Sequence, residues 1–459
     1  MSNSIYIGGR WVSGEGDQLV STSPLDDSEV WSAKAASTPQ VEAAVQAARD
    51  AHANWSKTSL DDRIGLLNRY AELVTQHKEE LGDLIHREMG KPLAEAVGEA
   101  GAVAGKVQLT IDALRERRSE QTIDMGGKTG RTWYKSLGVV GVLGPFNFPM
   151  HLANGHIVPA LLSGNTVVFK PSELTPACGE RMVKLFEQAG LPSGCLNLVQ
   201  GGGDIGKALA DDDLDGLFFT GGSHTGLRLH RALANSTRPL LALELGGNNP
   251  IVVHEPADVE AAANIVAESA FVTAGQRCTC ARRLIVTGSA ELLLEALKVA
   301  AQRYAASVVA RRESAESMMK AQADWLAMGA TEILLGQSGK GPTPCYVTPG
   351  IIDTTGCDIA DEEVFGPLLQ VRQVANLDEA ISEANRTAYG LAAGIVTASD
   401  DAWQQFRHGV RAGIINRNSP ITGASGKLPF GGVGLSGNHR PSGYFAIDYC
   451  SDAVASVEA

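Results

Sequence analysis

The sequence predicts two α/β domains built on parallel sheets, together with a small β element. Between residues 138 and 246, short and almost wholly apolar segments alternate with helix-like segments, a pattern typical of parallel strands covered on both faces. A second alternating series begins at Pro250. Residues 119–136 are β-like around a Gly-Gly turn, and residues 441–459 lack helical periodicity. These last two segments are predicted to form a hairpin and an added strand.

The amino-terminal third is predicted to be a short hairpin followed by helices. The glycine pair at Gly8 predicts a turn between two short strands. Thr38 followed by proline predicts a helix start, with Thr38 as the cap residue. A second helix is predicted after Ser59, and another from residue 93 to residue 118 that ends in a cluster of cations.

A chain of 459 residues is too long for one simple core, so we predict several domains. The expected division is 1–118 with 137–246 as the first domain, 247–440 as the second, and 119–136 with 441–459 as the β element. The hairpin at 119–136 has two equally supported interpretations, either an element that projects from the body or a surface hairpin with no task.

Composition excludes several classes of partner and site. A formal net charge of −13 leaves no basic excess for nucleic acid, and we find no apolar run long enough to span a bilayer. The first residues lack the basic start and apolar core of a signal peptide, which predicts a cytoplasmic protein. Seven scattered cysteines favour reduced thiols, and Cys278 and Cys280 lack a second ligand pair for zinc, so no metal site is expected.

Two strand ends in the first series suggest a nucleotide cradle. Residues 218–226 run from an apolar strand through glycines into a helix, where free N–H groups and the helix dipole bind phosphate. Lys170 and Glu173 lie at a second strand end of the same series and could hold the two ribose hydroxyls of an adenosine. A glutamate there disfavours a 2′-phosphate, which predicts NAD over NADP. Alternatively, the glycine turn is structural and Lys170 and Glu173 are a solvated loop pair.

Three residues could carry covalent chemistry. Cys278 lies in a loop of small residues and is a candidate nucleophile if local charge activates its thiol, with Arg277 adjacent; the alternative is an inert packed cysteine. Glu244 ends an apolar strand and could act as a general base if burial raises its pKa, or it could be a buried carboxylate bound to a backbone amide. Asn147, in a proline-bounded turn, could donate to an oxyanion or simply stabilise the turn.

Together these stretches resemble the aldehyde dehydrogenase superfamily over nearly the whole chain. The similar stretches occur in the superfamily's order, and the 34-residue spacing from Glu244 to Cys278 is also the superfamily's. They are residues 144–149, 169–176, 219–226, 243–248, 275–279, 362–367 and 429–434.

The resemblance implies a Rossmann-like NAD-binding domain, a catalytic domain and a role for each site residue. Cys278 resembles the nucleophile, Glu244 the base that activates water, and Asn147 the oxyanion donor together with the Cys278 backbone N–H. Glu363 would hold the nicotinamide ribose and Phe365 would pack beside the ring. Lys170 and Glu173 would hold the adenosine ribose, and the pyrophosphate would lie along Gly221, Gly222, Ser223, His224, Thr225 and Gly226. The β element would join subunits into a homodimer or a dimer of dimers.

Within the superfamily, residues 146–156 and 436–442 are similar to the branch that oxidises N-succinylglutamate 5-semialdehyde in arginine catabolism. The implied substrate is a small anionic aldehyde. A basic lining is therefore expected, with Arg277, His151, His156, His439 and Arg440 as candidates.

Three features depart from the pattern of the superfamily. Gly222 stands where many relatives have serine, and residues 416–420 differ beside the acyl pocket. The region from 307 to 342 is shortened, so altered local structure is expected there. A dehydrogenase of another anionic semialdehyde, a non-catalytic relative and a thiol hydrolase are the alternatives.

Overall fold

A computed structural model of the chain describes residues 3–423 and 425–459. The first part contains a seven-stranded sheet with helices on both faces. Its elements are β1 (Ile5–Ile7), β2 (Arg10–Val12), β3 (Gln18–Thr22), β4 (Glu29–Lys34), α1 (Thr38–Trp55), α2 (Leu60–Gln76), α3 (Lys78–Met89), α4 (Leu93–Arg117), β5 (Gln121–Asp124), β6 (Thr129–Ser136), β7 (Val139–Leu143), α5 (His151–Leu162), β8 (Thr166–Lys170), α6 (Pro176–Gln188), β9 (Leu196–Leu198), α7 (Gly203–Ala210), β10 (Gly216–Gly221), α8 (Ser223–Ala232) and β11 (Leu240–Leu245).

The first sheet has the strand order β11-β10-β7-β8-β9-β1-β2. Strands β7 to β11 are parallel, and the hairpin of β1 and β2 adds to β9 in the antiparallel sense. Every residue of β7 and β8 is buried, which explains why these strands have no polar alternation. Because the strands are parallel, the glycine turn after β10, Lys170 at the end of β8 and Glu244 near the end of β11 lie at the same edge.

Local capping sets the helix boundaries. Helix α1 is capped by Ser37, whose side chain and that of Gln40 form a reciprocal capping box. The prediction that Thr38 is the cap was therefore one residue late, because Ser37 offers the same hydroxyl at the position that reaches the Gln40 N–H. Ser59 caps α2 as predicted, and Gly90 ends α3 with a left-handed φ of 79°.

The second part is built on another seven-stranded sheet, of order β15-β17-β18-β13-β12-β19-β20. It is parallel except for β15, which runs antiparallel to β17. Its elements, with two short flanking pairs, are β12 (Asn249–Val253), α9 (Val259–Phe271), β13 (Ala281–Thr287), α10 (Glu291–Ala301), β14 (Ser307–Val308), α11 (Arg312–Ala327), β15 (Thr331–Leu334), β16 (Tyr346–Val347), β17 (Gly350–Asp353), β18 (Leu368–Val374), α12 (Leu377–Ala384), β19 (Ala392–Val396), α13 (Asp400–Gly409), β20 (Ile414–Arg417), β21 (Pro429–Phe430), β22 (Ser442–Gly443) and β23 (Ser451–Glu458). The α/β fold class predicted from the sequence is confirmed.

The hairpin and the carboxyl terminus form one antiparallel sheet of order β23-β6-β5. Strand β23 pairs with β6 along its whole length, from Ser451 opposite Ser136 to Glu458 opposite Thr129. The added strand predicted for the last residues is therefore present, and it pairs with the predicted hairpin.

Residues 307–342 contain both helix and strand. Helix α11 lies between the short strands β14 and β15. Among residues 3–423 and 425–459, the helices are all too short or too polar to cross a membrane.

Candidate active site

Cys278 lies in a loop that is held from two sides. The Asn249 amide donates to the Cys278 carbonyl at 2.7 Å and to the Cys280 carbonyl at 2.8 Å. The loop follows α9 through Thr273 and Ala274, which have left-handed φ values of 53° and 54°. Such backbone conformations persist only where surrounding contacts enforce them. The thiol is therefore carried on a rigid turn.

Gly275 and Arg282 fix the same turn against the segment before β18. A Cβ at Gly275 would lie 2.3 Å from the Gly366 carbonyl oxygen, and its φ is +69°, so only glycine fits. The guanidinium of Arg282 donates to the Gly275 carbonyl at 2.7 Å and to the Arg277 carbonyl at 3.2 Å. Arg282 is 2 % exposed, so these bonds form in a buried setting.

Glu244 is held in place by a segment from the other end of the chain. Asn438 pairs with β11 like an extra strand. Its backbone N–H donates to the Leu243 carbonyl, and its side-chain oxygen accepts from the Leu243 N–H. Its side-chain amide donates to the Leu241 carbonyl. Gly437 makes an isolated bridge to Glu244, and a Cβ there would lie 2.0 Å from the Leu243 oxygen. Residues 437 and 438 therefore fix the end of β11.

The side chains of Glu244 and Cys278 are close neighbours, and each shifts the pKa of the other. Glu244 is 1 % exposed, and its Oε1 has no partner among the described residues. Burial, with the nearby Glu363 carboxylate adding to it, raises the pKa of Glu244 to about 8. Burial and the Glu244 carboxylate also raise the pKa of the Cys278 thiol well above its usual value. Burial and the nearby negative charge therefore favour the uncharged form of both groups, the carboxyl of Glu244 and the thiol of Cys278.

Arg277 does not act as the activating cation that its position in the sequence suggested. Its guanidinium binds the Thr273 hydroxyl at 2.8 Å and the Glu95 carboxylate at 3.2 Å, and it lies 5.3 Å from the Phe148 ring centre. Its charge is thus offset by Glu95. The groups that face Cys278 most closely are carboxylates, so the pKa of the thiol moves upward.

Asn147 is brought to the cysteine loop. It is 5 % exposed, and its Nδ2 donates to the Gln276 carbonyl at 3.0 Å. A carboxamide nitrogen has two protons, and this bond uses one of them. The backbone carbonyl two residues before Cys278 therefore orients the amide, and the second N–H is available for another acceptor.

Glu363 lies against the turn that follows β11. Its carboxylate accepts from Arg282 at 3.2 Å, and a Cβ at Gly246 would lie 1.7 Å from its Oε2. Burial raises the pKa of Glu363. Phe365 packs edge-on against Phe146 with ring centres 5.9 Å apart. The structure thus brings Glu363 close to Glu244 and Cys278.

The glycine turn runs from Gly221 at the end of β10 into α8. Gly222 is the cap residue, with no side-chain cap bond, and its missing Cβ faces open space. A Cβ at Gly226 would lie 2.6 Å from a Leu245 methyl, so glycine permits close packing of α8 on β11. Ser223 is buried and bonds the Tyr389 hydroxyl at 3.0 Å, which turns it away from a ligand, while His224 is exposed and Thr225 is half-buried. The turn offers backbone N–H groups and space, which suits a phosphate.

Lys170 and Glu173 lie together near the same edge. Lys170 is 6 % exposed, donates to the Pro171 carbonyl at 2.8 Å and lies 3.7 Å from the half-exposed Glu173 carboxylate. Its side chain packs over Gly206 of α7. One ammonium and one carboxylate side by side can pair with neighbouring hydroxyl groups, so this donor set fits a ribose.

The predicted basic lining is corrected at His156. This ring is fully buried, with Nδ1 bonded to the Tyr449 hydroxyl at 2.8 Å and Nε2 to the Thr220 hydroxyl at 2.9 Å. Burial lowers its pKa to about 3, so it is neutral and both nitrogens are occupied. His156 is a core residue and is unsuited to bind an anion.

The other residues predicted to line the substrate pocket, and the segment that departs from the superfamily pattern, have different surroundings. His439 and Arg440 have left-handed φ values of 55°, and Arg440 donates to the Gly432 carbonyl at 2.6 Å. In the departing segment, Arg417 pairs with Asp400 of α13 at 2.6 Å. His151 has a buried Nδ1 without a partner among the described residues.

Sequence reasoning missed the residues that position the catalytic groups. The sequence analysis assigned no role to Asn249, Asn438 or Arg282. Lys106 was also missed, although a signal existed: it falls on the apolar face of α4, three residues after Val103. Lysine is almost never fully buried without a reason.

Comparison with known proteins agrees with this geometry. Residues 11–454 match the model of the aldehyde dehydrogenase family. The N-succinylglutamate 5-semialdehyde dehydrogenases of Chromobacterium violaceum and Pseudomonas fluorescens are each 47 % identical, over 99 % of this chain and 96 % of theirs. An NAD-dependent aldehyde dehydrogenase from Sinorhizobium meliloti is 31 % identical with a TM-score of 0.94, covering 99 % of this chain and 94 % of that one. An NADP-dependent glyceraldehyde-3-phosphate dehydrogenase from Bacillus halodurans, solved with NADP, is 31 % identical with a TM-score of 0.92, covering 100 % and 99 %. The chain belongs to the aldehyde dehydrogenase family.

Proposed function

We propose that the chain oxidises N-succinylglutamate 5-semialdehyde to N-succinylglutamate with NAD as the hydride acceptor. The closeness of the Cys278 and Glu244 side chains, with the Asn147 amide bonded to the cysteine loop, carries the proposal for aldehyde oxidation. The names of the relatives at 47 % identity support the substrate. Oxidation of another anionic semialdehyde is the second candidate.

In this mechanism Cys278 is the nucleophile and Glu244 is the base. Glu244 accepts the thiol proton, and the sulfur adds to the aldehyde carbon to give a thiohemiacetal. A carboxylate with a pKa of about 8 is a stronger base than an ordinary glutamate, which suits removal of a proton from a thiol or a water. After oxidation leaves a thioester on Cys278, Glu244 releases the thiol proton to solvent, and its carboxylate then deprotonates the water that releases the acid.

Asn147 stabilises the negative oxygen of the thiohemiacetal. Its amide is oriented by the Gln276 carbonyl, and the N–H that this bond leaves free can donate to the oxyanion. The Cys278 backbone N–H is the second donor in the proposal. The Cys278 N–H shares a peptide group with the Arg277 carbonyl, which accepts from Arg282 at 3.2 Å and from the Cys280 N–H at 2.9 Å, so this peptide group is already oriented before substrate binds.

NAD supplies the acceptor for the hydride when it is bound. The α8 amino terminus and the open space at Gly222 suit the pyrophosphate. Lys170 and Glu173 would hold the adenosine ribose, Glu363 the nicotinamide ribose, and Phe365 would pack beside the ring. A half-exposed carboxylate at Glu173 disfavours a 2′-phosphate, which favours NAD over NADP.

The test measures NADH formation with N-succinylglutamate 5-semialdehyde, succinate semialdehyde and hexanal. We expect the highest kcat/KM with the succinylated substrate and complete loss of activity in Cys278→Ala. Cys357→Ala is the matched control, because Cys357 is also partly exposed and should leave activity unchanged. A higher kcat/KM for another aldehyde would reject the substrate, and activity retained in Cys278→Ala would reject the mechanism.

We further infer a homodimer or a dimer of dimers in the cytoplasm. The sheet of β5, β6 and β23 exposes Ile123, Met125 and Val457, which are 64 %, 51 % and 58 % exposed. Exposed apolar side chains that lie close together favour contact with a second copy. Light scattering should give a dimer or tetramer mass, and Ile123→Asp should reduce it.

A further inference from the structure

Lys106 is a buried ammonium without a carboxylate partner. It is 3 % exposed, and its Nζ makes one long hydrogen bond, of 3.3 Å, to the Gly443 carbonyl. No ion pair joins Lys106 to an Asp or Glu within residues 3–423 and 425–459. Lys91, on the loop before the same helix, is by contrast paired with Glu99 at 2.6 Å. Burial alone lowers the pKa of Lys106 to about 8.

Further polar groups without partners surround it. A Cβ placed on Gly155 would lie 3.8 Å from the Lys106 Nζ and 3.7 Å from the Ser442 Oγ, so both groups meet above this glycine. The Ser442 Oγ and the nearby His151 Nδ1 are both buried and have no hydrogen-bond partner in the described part of the chain. Ser442 itself is 6 % exposed. The absence of a side chain at Gly155 leaves room between them.

Such a cluster is unfavourable unless something binds to it. Buried polar atoms are nearly always bonded, and a buried cation is normally paired. A carboxylate has the complementary chemistry, since it accepts from an ammonium and from a hydroxyl at the same time. On the basis of the proposed function, we propose that Lys106 and Ser442 form the subsite for the terminal succinyl carboxylate of the substrate, beside Gly155.

The position of Lys106 along α4 suits this assignment. Glu95 of α4 binds Arg277, the neighbour of Cys278, and Lys106 is eleven residues further along, about 16 Å in helix rise. Side chains of a helix lean toward its amino terminus, so the Lys106 Nζ reaches back toward Glu95 by several ångströms. The extended substrate spans roughly 9–10 Å from aldehyde carbon to succinyl carboxylate. The rise along the helix, less the backward reach of the lysine side chain, therefore agrees with the length of the substrate.

The test compares Lys106→Met, Lys106→Arg and the exposed control Lys340→Met. With the succinylated substrate we expect Lys106→Met to lower kcat/KM by about 100-fold, mainly through KM, because one partner of a buried charge pair is lost. Oxidation of hexanal, which has no carboxylate, should change by less than about 3-fold. Lys106→Arg should recover part of the loss, and Lys340→Met should resemble the wild type.

A binding measurement separates this inference from the proposed function. Calorimetry with N-succinylglutamate and the Cys278→Ala protein requires no turnover. Binding that is lost in Cys278→Ala/Lys106→Met and kept in Cys278→Ala/Lys340→Met supports the subsite, even if another aldehyde proves to be the better substrate. Equal affinity in both double variants overturns it. An equal fall in activity on hexanal and on the succinylated substrate also overturns it, since that result indicates a structural role.

Discussion

The buried pair of Lys91 and Glu99 gives the sharpest prediction about stability. Both side chains are fully buried, with Nζ and Oε2 2.6 Å apart. The other oxygen, Oε1, accepts from the backbone N–H groups of Met150 and His151, each at 3.1 Å. Glu99 thus joins the loop before α4 to the start of α5, close to the segment that carries Asn147.

Removing one partner should cost far more than removing both charges. Lys91→Met leaves a buried carboxylate and Glu99→Gln leaves a buried ammonium, so each should lower the free energy of unfolding by about 3–5 kcal/mol. The double variant keeps a neutral Oε1 acceptor for the two N–H groups. Its loss should therefore be about 1–2 kcal/mol, the scale of ordinary hydrogen bonds, and well below the sum of the single losses.

Urea unfolding followed by circular dichroism measures these changes as shifts in midpoint at constant slope. Glu332→Gln, at an exposed position of β15, is the control and should stay within about 0.5 kcal/mol of the wild type. Losses in the double variant that equal the sum of the single losses would refute the reasoning, because they would show that the two charges are not coupled.

Three further predictions follow from the site. With a pKa of about 8, Glu244 is protonated below that pH and ionised above it. The rate of thioester hydrolysis should therefore rise through about pH 8 and then level off. A rate that is flat from pH 7 to pH 9 would contradict this. Gly226→Ala places a methyl 2.6 Å from a leucine of β11, so it should lower the free energy of unfolding by about 1–3 kcal/mol. Urea unfolding measures this loss, and an unchanged midpoint would contradict the prediction. Gly246→Ala displaces the flexible Glu363 carboxylate, so it should raise the KM for NAD by about tenfold, which corresponds to the loss of one hydrogen bond. The urea midpoint should stay nearly unchanged. An unaltered KM would show that Glu363 does not take part in cofactor binding.

The buried parallel strands were the most predictable elements of the fold. Strands β7, β8 and β11 lie within residues 138–246, where the sequence predicts parallel strands, because each is an almost unbroken apolar run between turns. Strand β18 was missed because Gln370 and Arg372 interrupt its pattern, although the structure buries both of them. A polar residue that the tertiary structure buries hides a central strand from sequence reasoning.

The sequence by itself determined the α/β class and the residue types able to do chemistry, Cys278, Glu244 and Asn147, because strand patterns and motif spacing are local properties. Only the tertiary structure decided which charges are available. It placed the carboxylates against the thiol, gave Arg277 a partner in Glu95, occupied both nitrogens of His156, and left Lys106 without a carboxylate partner among the described residues. Protonation and binding depend on burial and on distances of a few ångströms between residues far apart in the chain.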